Sequence, residues 1–317
     1  MFSRILLASD GSPTSRAVSP YVSWLARSVG AGVIVIRATP DRGAILRAVA
    51  LDLDADDLGG SSFRYPDASR LDEVGAWLRS RAEQAVEREA VALRQQGVAV
   101  SVRVVEGDPA EVIAGQDDQA EDTLIAMATH GRSGVERWFV GGVTAKVVRE
   151  SRTPVLALRP HEGTDPPAES DGIVVPLDGS QRAEAALPLA EELAVKLGLP
   201  LTLVRSVSLS GLGYGFVEDG PTQYADLAGS AERIATDYLA LIAEGVRAQG
   251  VREVVELVAD RSPDDAIMDV AGGDGMKLVV MTTHGRTGLN RMVLGSVTDR
   301  VLRRGSGPVL IVPSLNP

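Results

Sequence analysis

The chain has 317 residues, a length that suggests two domains, each large enough to bury a core of its own. Its 32 lysines and arginines against 43 aspartates and glutamates leave a net charge of −11, which argues against a general binder of nucleic acid or of anionic membranes. The absence of cysteine excludes disulfides, thiol catalysis, iron–sulfur clusters and cysteine zinc sites, and three histidines argue against a multi-histidine metal site.

The amino-terminal apolar run is short and stops at Asp10, so it lacks the longer apolar stretch and cleavage site of a signal peptide. No stretch of the sequence approaches the roughly 20 apolar residues that a membrane-spanning helix needs. We therefore expect a cytoplasmic protein without membrane association.

Short aliphatic runs alternate with helical patterns through the first half. Strands are predicted at residues 5–8, 33–36, 98–105, 123–128 and 155–158. These runs are continuous and not alternating, which is typical of a parallel sheet covered on both faces. Helices are predicted over residues 15–29 and 72–96, and another begins at Asp108-Pro109, with aspartate as the N-cap. We interpret residues 40–70 as a flexible insertion over a pocket mouth or a domain junction.

A segment rich in proline, glycine and acidic residues, without apolar periodicity, separates two halves of similar pattern. It indicates a first domain at 1–160, a linker at 161–171 and a second domain at 172–317. The second half repeats the alternation of the first. Its strands are predicted at residues 173–177, 201–205, 251–258, 278–281 and 309–312.

Two blocks of sequence occur in both halves in the same order. Residues 129–160 and 283–314 align without gaps and share 14 of 32 positions. The blocks ILLASDGS and IVVPLDGS, ending at Ser12 and Ser180, precede them. We infer a tandem duplication and an α/β fold with two tandem, doubly wound parallel five-stranded sheets. In such sheets ligands bind beyond the carboxyl ends of the strands.

A candidate ligand site lies at these strand ends in the second half. Met281 closes a predicted strand, a polar loop follows, and Gly295-Ser296 opens the next helix. Glycine permits close backbone approach and a helix N-terminus attracts anions, so the pattern favours a phosphate ligand. Ser296 and Thr298 are expected to donate from their hydroxyls, and Asp178 to accept from a sugar hydroxyl or base amino group. By itself the pattern also fits a tight turn with a serine-capped helix.

These residues closely resemble the nucleotide-binding signature of the universal stress protein family, G-x2-G-x9-G-[ST] after an early aspartate. In the second half, Gly285 and Gly295-Ser296 match the signature after Asp178. Thr282 takes the place of the first glycine, a departure that demands a conventional backbone angle.

The first half matches the same signature less completely. Gly131 and Gly141 match after Asp10, but Ala128 replaces the first glycine and Gly142 replaces the final serine or threonine. The loss of a hydroxyl donor to phosphate lowers affinity by roughly 10- to 150-fold. We therefore expect the second half to bind nucleotide more tightly than the first.

The resemblance covers essentially the whole chain and implies a Rossmann-like, adenine nucleotide α-hydrolase-like fold with strand order 3-2-1-4-5 in each half. It also implies ATP, with Mg²⁺, as the ligand. In the second half the implied nucleotide-binding residues are Asp178, Met281, Thr282, Gly285, Arg286, Gly295, Ser296, Val297 and Thr298. In the first half they are Asp10, Ala128, Gly131, Arg132, Gly141, Gly142, Val143 and Thr144. Family dimers join through the fifth strand, so the resemblance implies intramolecular pairing of the two domains and leaves room for a homodimer.

The function that the sequence favours is nucleotide-dependent regulation in a stress response, with at most slow ATP hydrolysis. No general base or metal cluster stands out, so we assign no catalytic residue, and we interpret the equivalent His130 and His284 as packing residues. One alternative is an ATP-using enzyme of the α-hydrolase-like type, although its usual SGGxDS-like or HIGH-like loop is missing. The other is a nucleotide-free structural dimer module, against which the retained Gly285 and Gly295-Ser296 argue.

Overall fold

The strands of both halves join in one continuous sheet. The computed structural model describes residues 1–51, 68–115, 122–129, 141–160, 168–207, 221–273, 275–283, 294–305 and 307–313. The first half contributes β1 (Arg4–Ala8), β2 (Gly32–Thr39), β3 (Val100–Glu106), β4 (Thr123–Ala128) and β5 (Val155–Leu158). The second half contributes β6 (Gly172–Pro176), β7 (Leu201–Ser206), β8 (Val254–Ala259), β9 (Lys277–Thr282) and β10 (Val309–Val312). The order β3-β2-β1-β4-β5-β10-β9-β6-β7-β8 confirms the predicted 3-2-1-4-5 arrangement in each half.

The two halves meet at β5 and β10. Neighbouring strands within each half are parallel, whereas β10 pairs antiparallel with β5, with Leu310 opposite Leu156. The strands of one half therefore run opposite to those of the other. As a result, the carboxyl ends of the two sets of strands, where the candidate sites lie, are at opposite edges of the sheet.

Helices connect the strands. In the first half they are α1 (Pro13–Arg16), α2 (Ser19–Val29), α3 (Arg42–Leu51), α4 (Ala68–Gln95), α5 (Pro109–Ala114) and α6 (Gly142–Glu150). In the second half they are α7 (Gln181–Glu184), α8 (Leu187–Leu197), α9 (Pro221–Ala248), α10 (Pro263–Ala271) and α11 (Ser296–Arg304). The helix predicted over 15–29 is in fact two, because Pro20 lacks an N–H and lies in the first turn of a new helix, α2, which begins at Ser19. Asp108 caps α5, as predicted, by accepting from the N–H groups of Ala110 and Glu111.

The sheet is the middle of three layers. Alternate residues of β1 enter different apolar clusters: Ile5 and Leu7 pack with α2 and α4, while Leu6 and Ala8 pack with α5 and α6. The inner strands are thus buried on both faces, as expected. The outer strands β3 and β8 depart from that expectation, since Val102 is 38% and Val255 42% exposed. A strand at the end of the sheet has a neighbour on one side only, and the helices leave its outer residues uncovered.

Helices occupy the two ends of the stretch that we interpret from the sequence as a flexible insertion, residues 40–70. Residues 42–51 form α3, and residues 68–70 belong to the first turn of α4. Ile45 of α3 is buried, and its Cδ1 lies 3.9 Å from the position that a Cβ on Gly75 of α4 would occupy. This apolar packing against α4 orders α3; residues 52–67 lie outside the described part of the chain.

The segment between the halves ends in a packed contact. Of the predicted linker, residues 161–167 are outside the described ranges, and Ser170 is buried. The hydroxyls of Ser170 and Tyr21 share a hydrogen bond of 2.9 Å, and Tyr21, on α2, is fully buried. Across the residues that the structure describes, no helix combines the length and the apolar character needed to cross a bilayer.

Candidate functional site

A cavity of about 680 Å³ opens at the carboxyl ends of β6, β7 and β9 in the second half. It is lined by the residues after these strands and by parts of α9, α10 and α11. Seven of the predicted site residues lie in its wall: Asp178, Met281, Thr282, Gly295, Ser296, Val297 and Thr298. The predicted Gly285 and Arg286, like Gly131 and Arg132 of the first half, lie outside the described residues, as do His130 and His284.

The loop after β6 holds Asp178 in a fixed position. Gly179 has a φ of +82°, a left-handed turn that glycine adopts without steric cost. Oδ1 of Asp178 accepts hydrogen bonds from the N–H of Ser180 at 2.9 Å and from its hydroxyl at 2.6 Å. In the first half, Oδ1 of Asp10 accepts from the N–H of Ser12 at 2.9 Å. Both aspartates are therefore set by the same Asx turn at the end of the central strand.

The N-terminus of α11 faces the same cavity without a side-chain cap. Among the residues that the structure describes, no side chain accepts a hydrogen bond at the Gly295 cap, whereas Ser180 caps α7 and Ser262 caps α10. The N–H of Gly295 itself donates to the carbonyl of Thr283 at 3.0 Å, which anchors the turn. The first-turn N–H groups and the helix dipole thus point to an anion site, with Ser296 exposed beside them.

Thr298 does not have the role that the sequence suggested. Its side chain is buried, and its hydroxyl donates to the carbonyl of Thr282 at 3.0 Å. A hydroxyl has one proton, so this bond removes Thr298 from the expected phosphate donors. Thr144 of the first half makes the same 3.0 Å bond to the carbonyl of Ala128. Both threonines tie a helix N-terminus to a strand end.

Ion pairs hold α11 against α10. Asp264 is buried and accepts from Arg300 at 3.1 Å and Arg304 at 2.6 Å, and Arg304 also reaches Asp265 at 2.9 Å. The hydrogen bond from the Ser262 hydroxyl, followed by Arg304, lowers the pKa of Asp265 below its ordinary value. These contacts fix the helix whose N-terminus lines the cavity.

Sequence reasoning missed a charged residue of the cavity wall, Arg205, and the two residues that follow it in a chain of contacts. Arg205 is the second-last residue of β7, and its guanidinium carbon lies 4.7 Å from the ring centre of Tyr238, on α9. The Tyr238 hydroxyl donates to Oε1 of Glu184 at 2.8 Å. Burial, and then this bond to Glu184, raise the pKa of Tyr238, so its phenol stays a neutral donor. A charged residue at a strand end was a usable signal for Arg205; Tyr238, in the middle of a long helix, offered none.

The equivalent region of the first half differs from the second half in the residues packed beneath the end of β1. Gly141 is the N-cap residue of α6, where no side chain of the described residues forms a capping hydrogen bond, and Gly142, Val143 and Thr144 make up the first turn. The buried carboxylate of Glu89 accepts from the hydroxyls of Ser9 at 2.6 Å and Ser19 at 2.7 Å. The equivalent serine positions in the second half are Leu177 and Leu187. The first half thus has a buried polar cluster where the second half has two leucines.

Comparison with known proteins identifies the family. The sequence model of the universal stress protein family matches residues 1–159 and again residues 170–313. The chain belongs to the universal stress protein family. This universal stress protein is 28% identical over 249 residues to Universal stress protein Rv2005c of Mycobacterium tuberculosis, which covers 75% of this chain and 78% of that relative.

Longer matches extend over the whole tandem chain. Universal stress protein Slr1230 of Synechocystis is 24% identical to this chain over 309 residues, and the match covers 96% of this chain and 98% of that relative. The crystal structure of a universal stress protein from Archaeoglobus fulgidus superposes with a TM-score of 0.67 at 22% identity, covering 99% of each chain. The full-length structural match shows that this universal stress protein shares the tandem α/β fold.

Proposed function

We propose that the second half of this universal stress protein binds ATP, with Mg²⁺, and that occupancy regulates a stress response. One observation carries the proposal: Asp178 and the α11 N-terminus, which lacks a side-chain cap in the described residues, line the same cavity of about 680 Å³. That volume is ordinary for a small-molecule site. ATP matches these two features, because its phosphate groups suit the N-terminus of α11 and the hydroxyl or amino groups of its nucleoside suit Asp178.

The residues present fit this ligand. The backbone N–H groups at Ser296 and Val297, with the Ser296 hydroxyl, would hold phosphate oxygens. Asp178 would accept from the nucleoside, and Arg205 supplies a fixed cation beside it. Mg²⁺ is usually held by phosphate oxygens and few protein groups, and would neutralise phosphate charge in this acidic protein.

Regulation, and not catalysis, is the role that the site chemistry favours. Among the described residues of the cavity wall, Asp178 is the sole carboxylate and Arg205 the sole cation, and Asp178 is already engaged by Ser180. No residue of this set is placed as a general base, so we propose that any hydrolysis is slow. We further propose that the chain acts in the cytoplasm as a paired unit of two domains, with or without association into a homodimer.

Native mass spectrometry followed by denaturation would identify any small molecule that copurifies. Released ATP supports the proposal, an adenylated product favours the α-hydrolase-like enzyme, and no ligand together with no ATP binding favours a structural module.

Calorimetry with ATP and Mg²⁺ then tests the residues. Asp178→Asn and Ser296→Ala should each lower the affinity of the tighter site by roughly 10-fold or more. Asp10→Asn is the matched control, because it makes the same change at the opposite edge of the sheet and should leave that site intact.

A further inference from the structure

The helix face that borders each strand end differs between the two halves. On α9, Ala231 and Ile234 line the second-half cavity, and Tyr238 follows one turn later. When the 28 residues of α4 are aligned without gaps with the 28 residues of α9, Arg81 takes the position of Ile234 and Ala85 that of Tyr238. A Cβ on Gly11 would lie 3.4 Å from the Cβ of Ala85. This face of α4 therefore reaches the loop after β1.

Two arginines lie at that loop, Arg16 and Arg37, and a third, Arg81, is on the neighbouring face of α4; we call these three the arginine cluster. Nη1 of Arg16 donates to the carbonyl of Gly11 at 2.6 Å. Nη1 of Arg37 lies 2.6 Å from the point that a Cβ on Gly11 would occupy, so this guanidinium is close to the loop backbone. Arg81 lies one helical turn before Ala85, with its guanidinium carbon 4.9 Å from the ring centre of Trp77, which is 55% exposed.

The equivalent positions of the second half carry fewer positive charges than the arginine cluster of the first half. Arg16, Arg37 and Arg81 correspond to Glu184, Arg205 and Ile234.

Two carboxylates lie in or beside the loop after β1, namely those of Asp10 and Glu89. Asp10 has its counterpart in Asp178, but buried Glu89 replaces Ile242 and accepts from Ser9 and Ser19. Relative to the second half, the arginine positions add three positive charges and Glu89 removes one. At these compared positions the first half is therefore more positive by two charges, in a chain of net charge −11.

We infer that this arginine cluster binds a phosphate at the nucleoside end of a nucleotide, so that the first half takes nucleotides that carry a ribose phosphate in addition to their 5′-phosphates. Guanidinium groups bind phosphate with several N–H donors, and the exposed ring of Trp77 offers an aromatic face for a base. The inference rests on the proposed function in one respect: the 5′-phosphates would lie at the N-terminus of α6. The two halves would then report on different nucleotides.

The test uses the full chain and three probes, namely adenosine 3′,5′-bisphosphate, AMP and inorganic phosphate, in calorimetry at low and high salt. Arg81→Gln and Arg16→Gln should each weaken bisphosphate binding by roughly 10-fold or more while changing AMP binding little. Arg79→Gln is the matched control, since Arg79 is also exposed on α4 but points about 200° away around the helix. All three positions are exposed, so the unfolding midpoint should not move.

Tighter binding of the bisphosphate than of AMP, lost in Arg81→Gln and kept in Arg79→Gln, supports the inference. Equal affinity for the two nucleotides, or an equal loss in Arg79→Gln, overturns it. Inorganic phosphate binding with the affinity of the bisphosphate overturns the nucleotide assignment. Ser296→Ala separates the proposals: if ATP shows no site sensitive to that change while bisphosphate binding still depends on Arg81, the proposed function fails and this inference stands.

Discussion

The hydroxyl of Thr298 donates a 3.0 Å hydrogen bond to the carbonyl oxygen of Thr282. The bond joins the first turn of α11 to the end of β9, and Thr144 and Ala128 repeat it in the first half. Both threonines are buried, and each hydroxyl serves as the donor to its strand end. The two helix N-termini that line the candidate sites are therefore held in place by their own strands.

Replacement of Thr298 by the isosteric valine should cost stability before it affects binding. The Thr298→Val change leaves buried carbonyl groups short of a donor, so the free energy of unfolding should fall by about 1–3 kcal/mol. Denaturant unfolding monitored by circular dichroism measures this. Ser296→Ala is the control, because Ser296 is exposed and its loss should change stability by less than about 0.5 kcal/mol. A Thr298→Val protein with native stability but no ATP binding would contradict this assignment.

An exchange of Gly142 and Ser296 should exchange the affinities of the two halves for ATP. A Cβ on Gly142 would meet no atom within 4 Å, so serine fits there, and it would add a hydroxyl beside the N-terminus of α6. Gly142→Ser should strengthen the weaker site by roughly 10-fold, and Ser296→Gly should weaken the stronger one by as much. Two-site calorimetry on the full chain measures both changes. No gain from Gly142→Ser would show that the missing hydroxyl does not limit the first half.

Loss of the Asp264 carboxylate should loosen α11. Asp264→Asn removes a buried charge that two arginines share, and the free energy of unfolding should fall by about 1–3 kcal/mol. Hydrogen exchange of the α11 amides should rise in the same variant. Asp265→Asn serves as the comparison, since the Asp265 side chain is 46% exposed and should matter less than buried Asp264. A larger effect at Asp265 than at Asp264 would refute the assignment of Asp264 as the anchor.

Asp108 should contribute a pH-dependent part of stability. Backbone hydrogen bonding, first to the N–H of Glu111, together with Lys146, lowers the pKa of Asp108 below its ordinary value of 3.8. Because the folded pKa is lower than the unfolded one, the contribution is complete above about pH 5 and declines as the pH falls through 3.8 towards the folded value.

Asp108→Asn isolates this charge, since asparagine is an equally good N-cap. Wild type should be the more stable protein at pH 7, and the difference should shrink at pH 3. If the difference in stability between wild type and Asp108→Asn is the same at pH 7 and pH 3, the charge of Asp108 does not explain it.

Much of the fold and part of the site could be predicted from the sequence, because both depend on local patterns. Aliphatic runs located the strands, and the repeated blocks revealed the duplication. Seven of the nine residues assigned in the second half line one cavity, since residues that follow parallel strands must meet at one edge. The split between α1 and α2 was also readable, because Pro20 lies within the predicted helix.

The amino-acid sequence by itself determined that this chain is two copies of one α/β unit with an aspartate and a glycine-led helix after equivalent strands. Only the tertiary structure decided which partner each polar group takes. Thr298 bonds to a carbonyl 16 residues away, Arg205 stacks on Tyr238, and Glu89 is buried beneath Ser9, 80 residues apart. Such pairings arise because folding brings distant segments within hydrogen-bond reach, and no local period in the sequence encodes that distance.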